Sequence, residues 1–331
     1  AGGHPVIGVG TGRLRLLLVV GAAVALALGV VGCGASEPVP AGGPAGPTGA
    51  QPAGLPPDCS VRVTDVVALR SALRSVAPGG RVCAVGDLRG SRLEVFRSGT
   101  AQQPIEVIGD GRTAVDGVTI KADHVVVKGF SVIDGKAPGI WMKGTDITVE
   151  NNTVRHPIGD DYDGLRFFGD DLKIVHNTIG DISPDSTEAH ADCMQSFATG
   201  PKSRTPNSGN VNRVLIDGNR CERIDNQCLI VEGPFSSAGD GSGIGRSSGI
   251  TFSNNYCDAH ASQAVWMDDV RNVTLKNNDV QRGVQKAFAL TNNSVGATVS
   301  GNKIAPQIEN EISMDDTSEI DYHGPTPQGS P

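Results

Sequence analysis

Short segments in which apolar and polar residues alternate recur along the chain from about residue 60 to residue 305. Six of them superimpose without gaps: 149–154, 175–179, 216–221, 252–257, 275–280 and 299–304. This alternation predicts short strands, because successive side chains of a strand point to opposite faces. The recurrence of one segment predicts a repeat architecture, in which each unit stacks on the next.

Each of these segments carries an asparagine at the same place. The shared residues are Asn152, Asn177, Asn219, Asn255, Asn278 and Asn302, with spacings of 25, 42, 36, 23 and 24 residues. The short spacings give the length of one coil, and the two long ones predict a coil plus an insertion, at 199–210 and 233–248. Asparagine tolerates a left-handed backbone, and its amide can bond to an equivalent amide one coil away, so a stack of asparagines would bend every coil alike.

A second strand precedes each asparagine turn, in rows 139–143, 163–168, 192–197, 227–232, 263–268 and 286–291. Alternation predicts an inward column that forms the core, comprising Ile140, Leu165, Met194, Leu229, Val265 and Phe288. The same parity predicts an outward surface that carries Arg166, Phe168, Gln195, Phe197, Glu232, Trp266 and Asp268. Upstream, residues 65–73 have helical spacing, which predicts a helix, and residues 81–85 are strand-like.

This pattern resembles the asparagine ladder of right-handed parallel β-helix proteins, the pectate lyase-like superfamily that includes polygalacturonases. The resemblance covers about residues 60–305. It implies an all-β fold, a right-handed parallel β-helix solenoid over 58–310 with an N-terminal capping helix. The 44 glycines and the scarcity of aromatic residues agree with many short strands and tight turns.

The two ends of the chain predict processing and tethering. Arg13 and Arg15 precede an apolar run that closes at Cys33, which resembles a bacterial lipobox. We therefore expect a lipoprotein signal peptide over 1–33, lipidation of Cys33 and an extracellular protein anchored to the cell membrane. The alternatives are an ordinary signal peptide cleaved further on, or an uncleaved membrane anchor. Residues 34–57 predict a disordered Gly/Pro-rich linker, and 311–331 a disordered acidic tail.

The other six cysteines predict three disulfides in an exported domain. Cys59 and Cys83 flank the capping helix and form one expected pair. We expect Cys193 to pair with Cys228 and Cys221 with Cys257, because each pair shares a column one coil apart, with a buried cysteine ladder as the alternative for the second pair. No spacing suggests structural zinc.

The outward surface predicts carbohydrate chemistry. Aromatic rings stack on sugar faces, while amides and carboxylates bond to hydroxyl groups. We expect substrate-binding roles for Gln195, Gln227, Glu232, Trp266 and Asp268. A turn column borders this surface and comprises Asp163, Asp192, Gln227, Gln263 and Lys286. The net charge of −8 argues against a nucleic-acid partner.

Two catalytic schemes are open. The steps at Asp163 and Asp192 resemble the aspartate-bearing steps of polygalacturonases, which implies acid and base roles in hydrolysis, although that family's doubled aspartate and His-Gly step are replaced here by 191–192 and 226–227. In the other scheme, β-elimination from a uronic acid polymer, Arg166 would neutralise the sugar carboxylate and His190 or Lys286 would remove the proton.

We expect a monomeric cell-surface enzyme that cleaves a polysaccharide, and we favour elimination over hydrolysis. A non-catalytic glycan-binding surface protein is the rival from another class. If the protein is an enzyme, we expect Arg166, His190, Asp192 and Gln195 to converge in a cleft walled by the inserted loops. A scattered arrangement would favour the binder. The carboxylates of Asp160, Asp161 and Asp163 also suit Ca²⁺, although no calcium-loop spacing is present; no other cofactor is indicated.

Overall fold

The structure is a computed structural model that describes residues 54–184, 189–198, 209–236, 247–281 and 283–328. The expected signal peptide, the lipidation site at Cys33 and most of the expected linker lie outside these residues, as does most of both insertions. In the part of the chain that is described, no helix is long and apolar enough to cross a membrane.

The described residues form one helix, α1 (Val66–Ser75), and a succession of short strands. The strands are β1 (Val61–Val63), β2 (Arg81–Ala84), β3 (Leu93–Val95), β4 (Ile105–Ala114), β5 (Val118–Lys121), β6 (Val125–Ile133), β7 (Ile140–Thr145), β8 (Ile147–Glu150), β9 (Thr153–Arg155), β10 (Leu165–Asp170), β11 (Lys173–Val175), β12 (Thr178–Ile182), β13 (Met194–Phe197), β14 (Val211–Asp217), β15 (Arg220–Ile224), β16 (Leu229–Glu232), β17 (Ser247–Ser253), β18 (Tyr256–Ala259), β19 (Gln263–Asp268), β20 (Val270–Arg271), β21 (Thr274–Lys276), β22 (Asp279–Val280), β23 (Lys286–Thr291), β24 (Thr298–Ser300), β25 (Lys303–Ile304) and β26 (Asn310–Met314).

The strands pair in parallel with strands one coil away and build three sheets around a common core. Sheet A contains β3, β5, β7, β10, β13, β16, β19, β23 and β26. Sheet B contains β1, β2, the first halves of β4 and β6, then β8, β11, β14, β17, β21 and β24. Sheet C contains the second halves of β4 and β6, then β9, β12, β15, β18, β22 and β25. The predicted parallel β-helix is confirmed.

The core fills the space inside the coils. The predicted inward column of sheet A is confirmed, since all of its members are fully buried: Ile140, Leu165, Met194, Leu229, Val265 and Phe288. Valine, isoleucine and leucine from sheets B and C pack against them. Continuous apolar burial of this kind is the main favourable contribution to folding, because it removes large areas from water.

The predicted column of asparagines is confirmed at the turn between sheets B and C. The backbone N–H of Asn152 donates to Oδ1 of Asn177 at 3.0 Å, and the backbone N–H of Asn177 donates to Oδ1 of Asn219 at 2.8 Å. The same bond recurs through Asn255, Asn278 and Asn302. Each Nδ2 also reaches a carbonyl of the neighbouring coil, as Asn177 does to Val149 at 3.0 Å. The amide thereby satisfies backbone groups that the turn would otherwise leave buried and unpaired.

The left-handed bend lies one residue earlier than we expected. The residue before each ladder asparagine has a positive φ: Asn151 (53°), His176 (55°), Gly218 (64°), Asn254 (56°), Asn277 (56°) and Gly301 (66°). The ladder asparagine therefore does not supply the bend. Its side chain bonds across coils, while the residue before it absorbs the uncommon backbone conformation.

The capping helix is present as predicted. Oδ1 of Asp65 accepts the N–H of Ala68 at 2.8 Å and caps the first turn. Leu69, Ala72 and Leu73 form its buried face. The disulfide between Cys59 and Cys83 is also present, with its Cα atoms 5.8 Å apart.

The pairing that we predicted for the other four cysteines is wrong. Cys193 bonds to Cys221, and Cys228 bonds to Cys257, each with Cα atoms 5.9 Å apart. Cys193 and Cys228 do share a column, but side chains in one column of a parallel sheet point the same way. Side chains on opposite walls converge instead, so both disulfides cross the interior between the start of sheet A and sheet C.

The expected disordered tail from residue 311 is also not what the structure shows. Strand β26 begins at Asn310 and pairs with β23, and its Ile312 and Met314 are buried. Further on, Ser318 is fully buried, and its hydroxyl donates to Asp315 at 2.8 Å. The acidic composition of the segment concealed two inward apolar residues that continue the core column of sheet A by one coil.

Replacing Asn177 with alanine should lower the free energy of unfolding by about 1–3 kcal/mol, because it leaves the buried N–H of Asn152 without a partner and removes one of the bonds to the carbonyl of Val149. Chemical denaturation measures this change. The control is Asn151→Gly in the neighbouring coil's turn, which keeps the positive φ and should change stability by less than about 0.5 kcal/mol. Equal losses for the two variants would contradict a stabilising ladder.

Candidate functional site

The outer face of sheet A carries two columns of outward side chains. The first column comprises Glu94, Thr119, Trp141, Arg166, Gln195, Ile230, Trp266, Ala289 and Ser313. The second comprises Phe96, Lys121, Lys143, Phe168, Phe197, Glu232, Asp268 and Thr291. Successive members of a column lie about 4.8 Å apart, so residues far apart in sequence become neighbours on one surface.

Arg166 is the centre of a buried polar cluster. Its Nε donates to Oδ2 of Asp163 at 2.6 Å and to Oε1 of Gln195 at 3.0 Å. Its Nη2 donates to Oδ2 of Asp161 at 2.7 Å, and Asp160 lies 3.5 Å from Nη1. The side chain is only 9% exposed. Its charge is therefore committed to three carboxylates of its own chain.

These bonds fix the orientation of His190. A guanidinium can only donate, so Oε1 of Gln195 must face Arg166, and the Gln195 amide nitrogen faces Nδ1 of His190 at 2.9 Å. Nδ1 then accepts, and a neutral His190 carries its hydrogen on Nε2. Because His190 is exposed, this places a hydrogen-bond donor at the surface.

Asp163 and Asp192 form a second ladder at the turn that leads into sheet A. Oδ1 of Asp163 accepts the backbone N–H of Asp192 at 2.9 Å, and Oδ1 of Asp192 accepts that of Gln227 at 2.9 Å. Both carboxyls are fully buried. Burial raises the pKa of Asp163 to about 6, against the opposing charge of Arg166. Burial, together with the charge of Asp163, raises the pKa of Asp192 well above its usual range.

The expected site residues thus converge in part. Arg166, Gln195, His190, Asp163 and Asp192 form one connected cluster. The cleft walled by the inserted loops, which an enzyme also predicts, stays a prediction, because most of both insertions lies outside the described residues. The cluster lies below the surface, because Arg166 turns back onto the Asp160–Asp163 turn and the two ladder carboxyls cap backbone groups. Outward parity thus did not make these side chains solvent-exposed.

The acidic residues of the second column, Glu232 and Asp268, lie toward the C-terminal end of the face. Glu232 is 5% exposed, and burial foremost raises its pKa, while protonated His190 opposes the shift. Asp268 is fully buried and accepts the side-chain amide of Asn292 at 2.5 Å. Trp266 is half-buried, and its Nε1 donates to Oγ1 of Thr291 at 2.9 Å. This end of the face is therefore acidic with one aromatic ring.

Lys286 lies outside the cluster. It pairs in register with Gln263, three coils beyond Asp192 in the same turn column. With about 4.8 Å per coil, its Cα is about 14 Å from that of Asp192. The structure does not bring Lys286 together with Arg166 or His190.

The opposite end of the face carries cations and aromatic rings that the sequence analysis did not select. Nζ of Lys121 lies 5.1 Å from the centre of the Trp141 ring. Trp141 packs against Phe168 at 5.8 Å, and Phe168 meets Phe197 edge-on at 5.2 Å. Lys143 stands beside Phe168 in register. Desolvation, followed by the charge of Lys121, lowers the pKa of Lys143.

The comparisons with known proteins agree with this architecture. The family model for the right handed beta helix region matches residues 116–304, which is more than half of the chain. The chain belongs to this right-handed β-helix family. A search of the curated proteins finds no match to the sequence.

Solved structures share the fold of this β-helix protein at low sequence identity. A family 6 alginate lyase in complex with a trisaccharide has a TM-score of 0.53 and 14% identity over 82% of this chain and 61% of its own. A mannuronic acid specific family 6 lyase from human gut microbiota has a TM-score of 0.51 and 11% identity over 79% of this chain and 63% of its own. An alginate lyase from Paenibacillus sp. str. FPU-7 has a TM-score of 0.49 and 17% identity over 80% and 97%. This chain spans about three fifths of the first two.

Strand parity alone could have identified the missed residues of this β-helix protein. Row 139–143 aligns with row 163–168, so Trp141 and Lys143 have the parity of Arg166 and Phe168. The segment 118–121 alternates in the same way and places Lys121 outward. Row 139–143 supplied only its inward residue, Ile140, to the prediction, and the segment 118–121 lies outside the predicted rows.

The acidic turn that we considered for Ca²⁺ surrounds a guanidinium. Asp160, Asp161 and Asp163 all face Arg166. Among the residues that the structure describes, no group of three or more His, Cys, Asp or Glu side chains is arranged to hold a metal. The arginine supplies the positive charge that these carboxylates need.

Replacing Asp192 with asparagine should flatten the pH dependence of stability. The folded-state pKa of Asp192 lies above its unfolded value. Above about pH 4 the unfolded chain therefore loses this proton while the folded protein keeps it. Wild-type stability falls in this range by up to about 1.4 kcal/mol per pH unit. The variant keeps the acceptor for the Gln227 N–H and should therefore be more stable than wild type at pH 7–8, but not at pH 3–4. Denaturation across this pH range measures the difference.

The exposed carboxyl of Asp316 provides the control, since Asp316→Asn removes the same charge from the surface. It should leave the pH slope unchanged. Identical slopes for Asp192→Asn and wild type would mean that Asp192 ionises as freely in the folded protein as in the unfolded chain.

Proposed function

We propose that this β-helix protein cleaves a uronic acid polymer by β-elimination on the outer face of sheet A. The observation that carries the proposal is the pair of lysines, Lys121 and Lys143, on successive coils beside the Trp141 ring. Among the described residues neither lysine forms an ion pair. They are therefore available to an anionic ligand, whereas Arg166 is not.

Elimination needs two things from the protein. A cation must neutralise the sugar carboxylate, and a base must remove the proton from the carbon next to it. Lys121 supplies the charge in this scheme. Lys143 acts as the base, because its lowered pKa increases the fraction that is neutral near physiological pH. The electron pair of the broken C–H bond forms a double bond as the bond to the neighbouring sugar's oxygen breaks, and that oxygen takes a proton from solvent water to become a hydroxyl group.

The aromatic row holds the sugars. Trp141, Phe168 and Phe197 descend the face from one coil to the next at centre-to-centre distances of 5.8 and 5.2 Å. Trp141 is half-buried and leaves part of its ring open. Phe168 is 2% exposed and packs between the other two rings, so pyranose faces would stack on Trp141 and Phe197, which would align the polymer along the solenoid axis.

Arg166 has a positioning role in this scheme. It orients Gln195, which in turn orients His190, so that Nε2–H of His190 can donate to a sugar oxygen. The sequence analysis expected Arg166 to neutralise the substrate carboxylate. In this scheme Lys121 neutralises it instead. The two family 6 lyases that share the fold support elimination as the reaction class.

Hydrolysis is the second candidate, and Glu232 favours it. Its raised pKa and its proximity to His190 suit a general acid that protonates a leaving oxygen. The carboxylate partner would be Asp192, although this residue is fully buried. A neutral glycan would be the preferred substrate of such a site, because the C-terminal end of the face is acidic.

We further propose that the protein acts outside the cell, tethered through Cys33. Three disulfides within the described residues suit an oxidising compartment. An insoluble or cell-wall polymer would then be accessible to a tethered enzyme.

Incubating the protein with polymers of mannuronic, guluronic or galacturonic acid should release products that absorb in the ultraviolet, because elimination leaves an unsaturated uronate. A neutral glucan serves as the control polymer and should yield nothing. New reducing ends without ultraviolet absorbance would favour hydrolysis. Binding of a polymer without any cleavage would identify the protein as a glycan binder.

The variant Lys143→Met should reduce kcat by about 10²–10⁴-fold, the usual contribution of a general base. Wild-type kcat/KM should rise with pH through the Lys143 pKa, which lies below the ordinary lysine value of 10.5. In Lys121→Met this limb, the rise of kcat/KM with pH, should move to higher pH, because the variant lacks the like charge that helps to lower the pKa of Lys143. Lys173→Met, on the exposed surface of sheet B, is the control for lost charge. An unchanged limb in Lys121→Met would exclude Lys143 as the titrating base.

A further inference from the structure

A groove lies at the N-terminal end of the outer face, between α1 and β3. Its volume is about 340 Å³. Its lining includes Arg70, Arg74, Arg92 and Arg97, together with Phe96 and a single carboxylate, Glu94. Four arginines around one carboxylate are a strong local reversal of charge in a chain whose net charge is −8.

One of these arginines serves the fold. Arg92 donates to the carbonyls of Val118 at 2.9 Å and Lys136 at 2.8 Å, and to Oγ1 of Thr119 at 3.0 Å. Burial lowers its pKa. Its donors are largely used by the backbone, so Arg92 holds the wall of the groove.

The other three arginines are exposed. Arg70 contacts the hydroxyl of Ser91 through Nε at 3.0 Å and Nη2 at 2.8 Å, and Arg97 donates through Nε to the carbonyl of Val76 at 2.7 Å. Arg74 follows Arg70 by one turn of α1. Within the described part of the chain none of the three forms an ion pair. Neutral partners orient two of the guanidinium groups without cancelling their charge.

The groove continues the outer face of sheet A. Glu94 pairs in register with Thr119 and belongs to the first column. Phe96 follows the last paired residue of β3 and stands beside Lys121, which follows the equivalent residue of β5. Phe96 is 55% exposed, so its ring is open to solvent. The Phe96 ring therefore lies in the same column as Lys121 and Lys143, and the arginines line the groove beside this ring.

We propose that this arginine groove is a separate subsite for an acidic sugar of the same polymer, with the sugar ring on Phe96 and its carboxylate between Arg70, Arg74 and Arg97. This inference rests on the proposed function for its substrate class. Planar guanidinium groups match carboxylates in bidentate geometry. The charge of the groove and its continuity with the outer face favour a polyanion that lies along the solenoid axis.

The spacing predicts a dependence on chain length. Phe96 and Lys143 lie two coils apart, about 10 Å. A short oligosaccharide at Lys143 would not reach the groove, whereas a long polymer would occupy both. The groove should therefore improve binding of long chains and leave the chemical step unchanged.

The test compares wild type with the double variant Arg70→Gln/Arg74→Gln and with Phe96→Ala. For a long uronic acid polymer KM should rise about tenfold, equivalent to about 1.4 kcal/mol, with kcat unchanged. For a uronic acid trisaccharide both parameters should stay at the wild-type values. Arg112→Gln removes one exposed arginine from outside the two columns and should have no effect. Thermal unfolding of each variant controls for loss of fold.

Retardation of the same proteins in gels that contain the polymer measures binding without cleavage. If no uronic acid polymer is cleaved but the double variant still loses retardation, the proposed function fails and the subsite stands. If cleavage occurs and the variants equal wild type on long polymers, the subsite is overturned. Variant-sensitive binding to vesicles that contain anionic phospholipid, with no effect on polymer binding, would overturn it in favour of a lipid surface.

Discussion

The rest of this structure depends on one hydrogen bond that repeats once per coil, from a backbone N–H to the side-chain oxygen of the next asparagine. The turn between sheets B and C is buried, and a buried backbone group without a partner costs about 1–3 kcal/mol. The oxygen of Asn177 satisfies such a group, the N–H of Asn152, while its nitrogen donates to the Val149 carbonyl of the same neighbouring coil. Every coil must then turn at the same place, and the strands on either side fall into register.

Register converts a linear sequence into a surface. Once the coils are aligned, residues about one coil apart in sequence become neighbours about 4.8 Å apart. On sheet A this produces a face whose character changes along its length, from arginines and lysines through aromatic rings to carboxylates. The second ladder, from Asp163 through Asp192 to Gln227, holds the turn on the other side of this face. Buried carboxyls at that turn are a consequence of the fold as well as candidates for chemistry.

Much of the fold could be predicted from sequence, because the pattern of the core is periodic. The asparagine column, the inward residues of sheet A and the capping helix all follow from spacing and alternation. The direction of side chains across the interior does not, and so the pairing of Cys193 and Cys228 with their true partners was missed. Arg166 was expected to be exposed, but it is buried. Strand alternation predicts which face of the sheet a side chain occupies, but it does not predict that the preceding turn covers that side chain. The segment from residue 311 was predicted to be disordered because it is acidic, but its Ile312 and Met314 are buried and continue the core. The same parity rule applies to Lys121 and Lys143: Lys143 lies in the first predicted row with an outward parity, whereas Lys121 precedes the predicted rows.

The asparagine ladder has a polarity, since each oxygen accepts from the coil before it and no bond is shared between more distant coils. Within the ladder, one coil can therefore be inserted or deleted while the remaining asparagines keep the same pattern of bonds, although contacts that cross coils elsewhere, such as the two interior disulfides, would have to be kept together. Such a change within sheet A would move the cationic end and the acidic end of the face apart or together by one strand spacing while each kept its own geometry. The length of the polymer that the face can accommodate is thus adjustable in discrete steps, separately from the residues that determine which sugar is held.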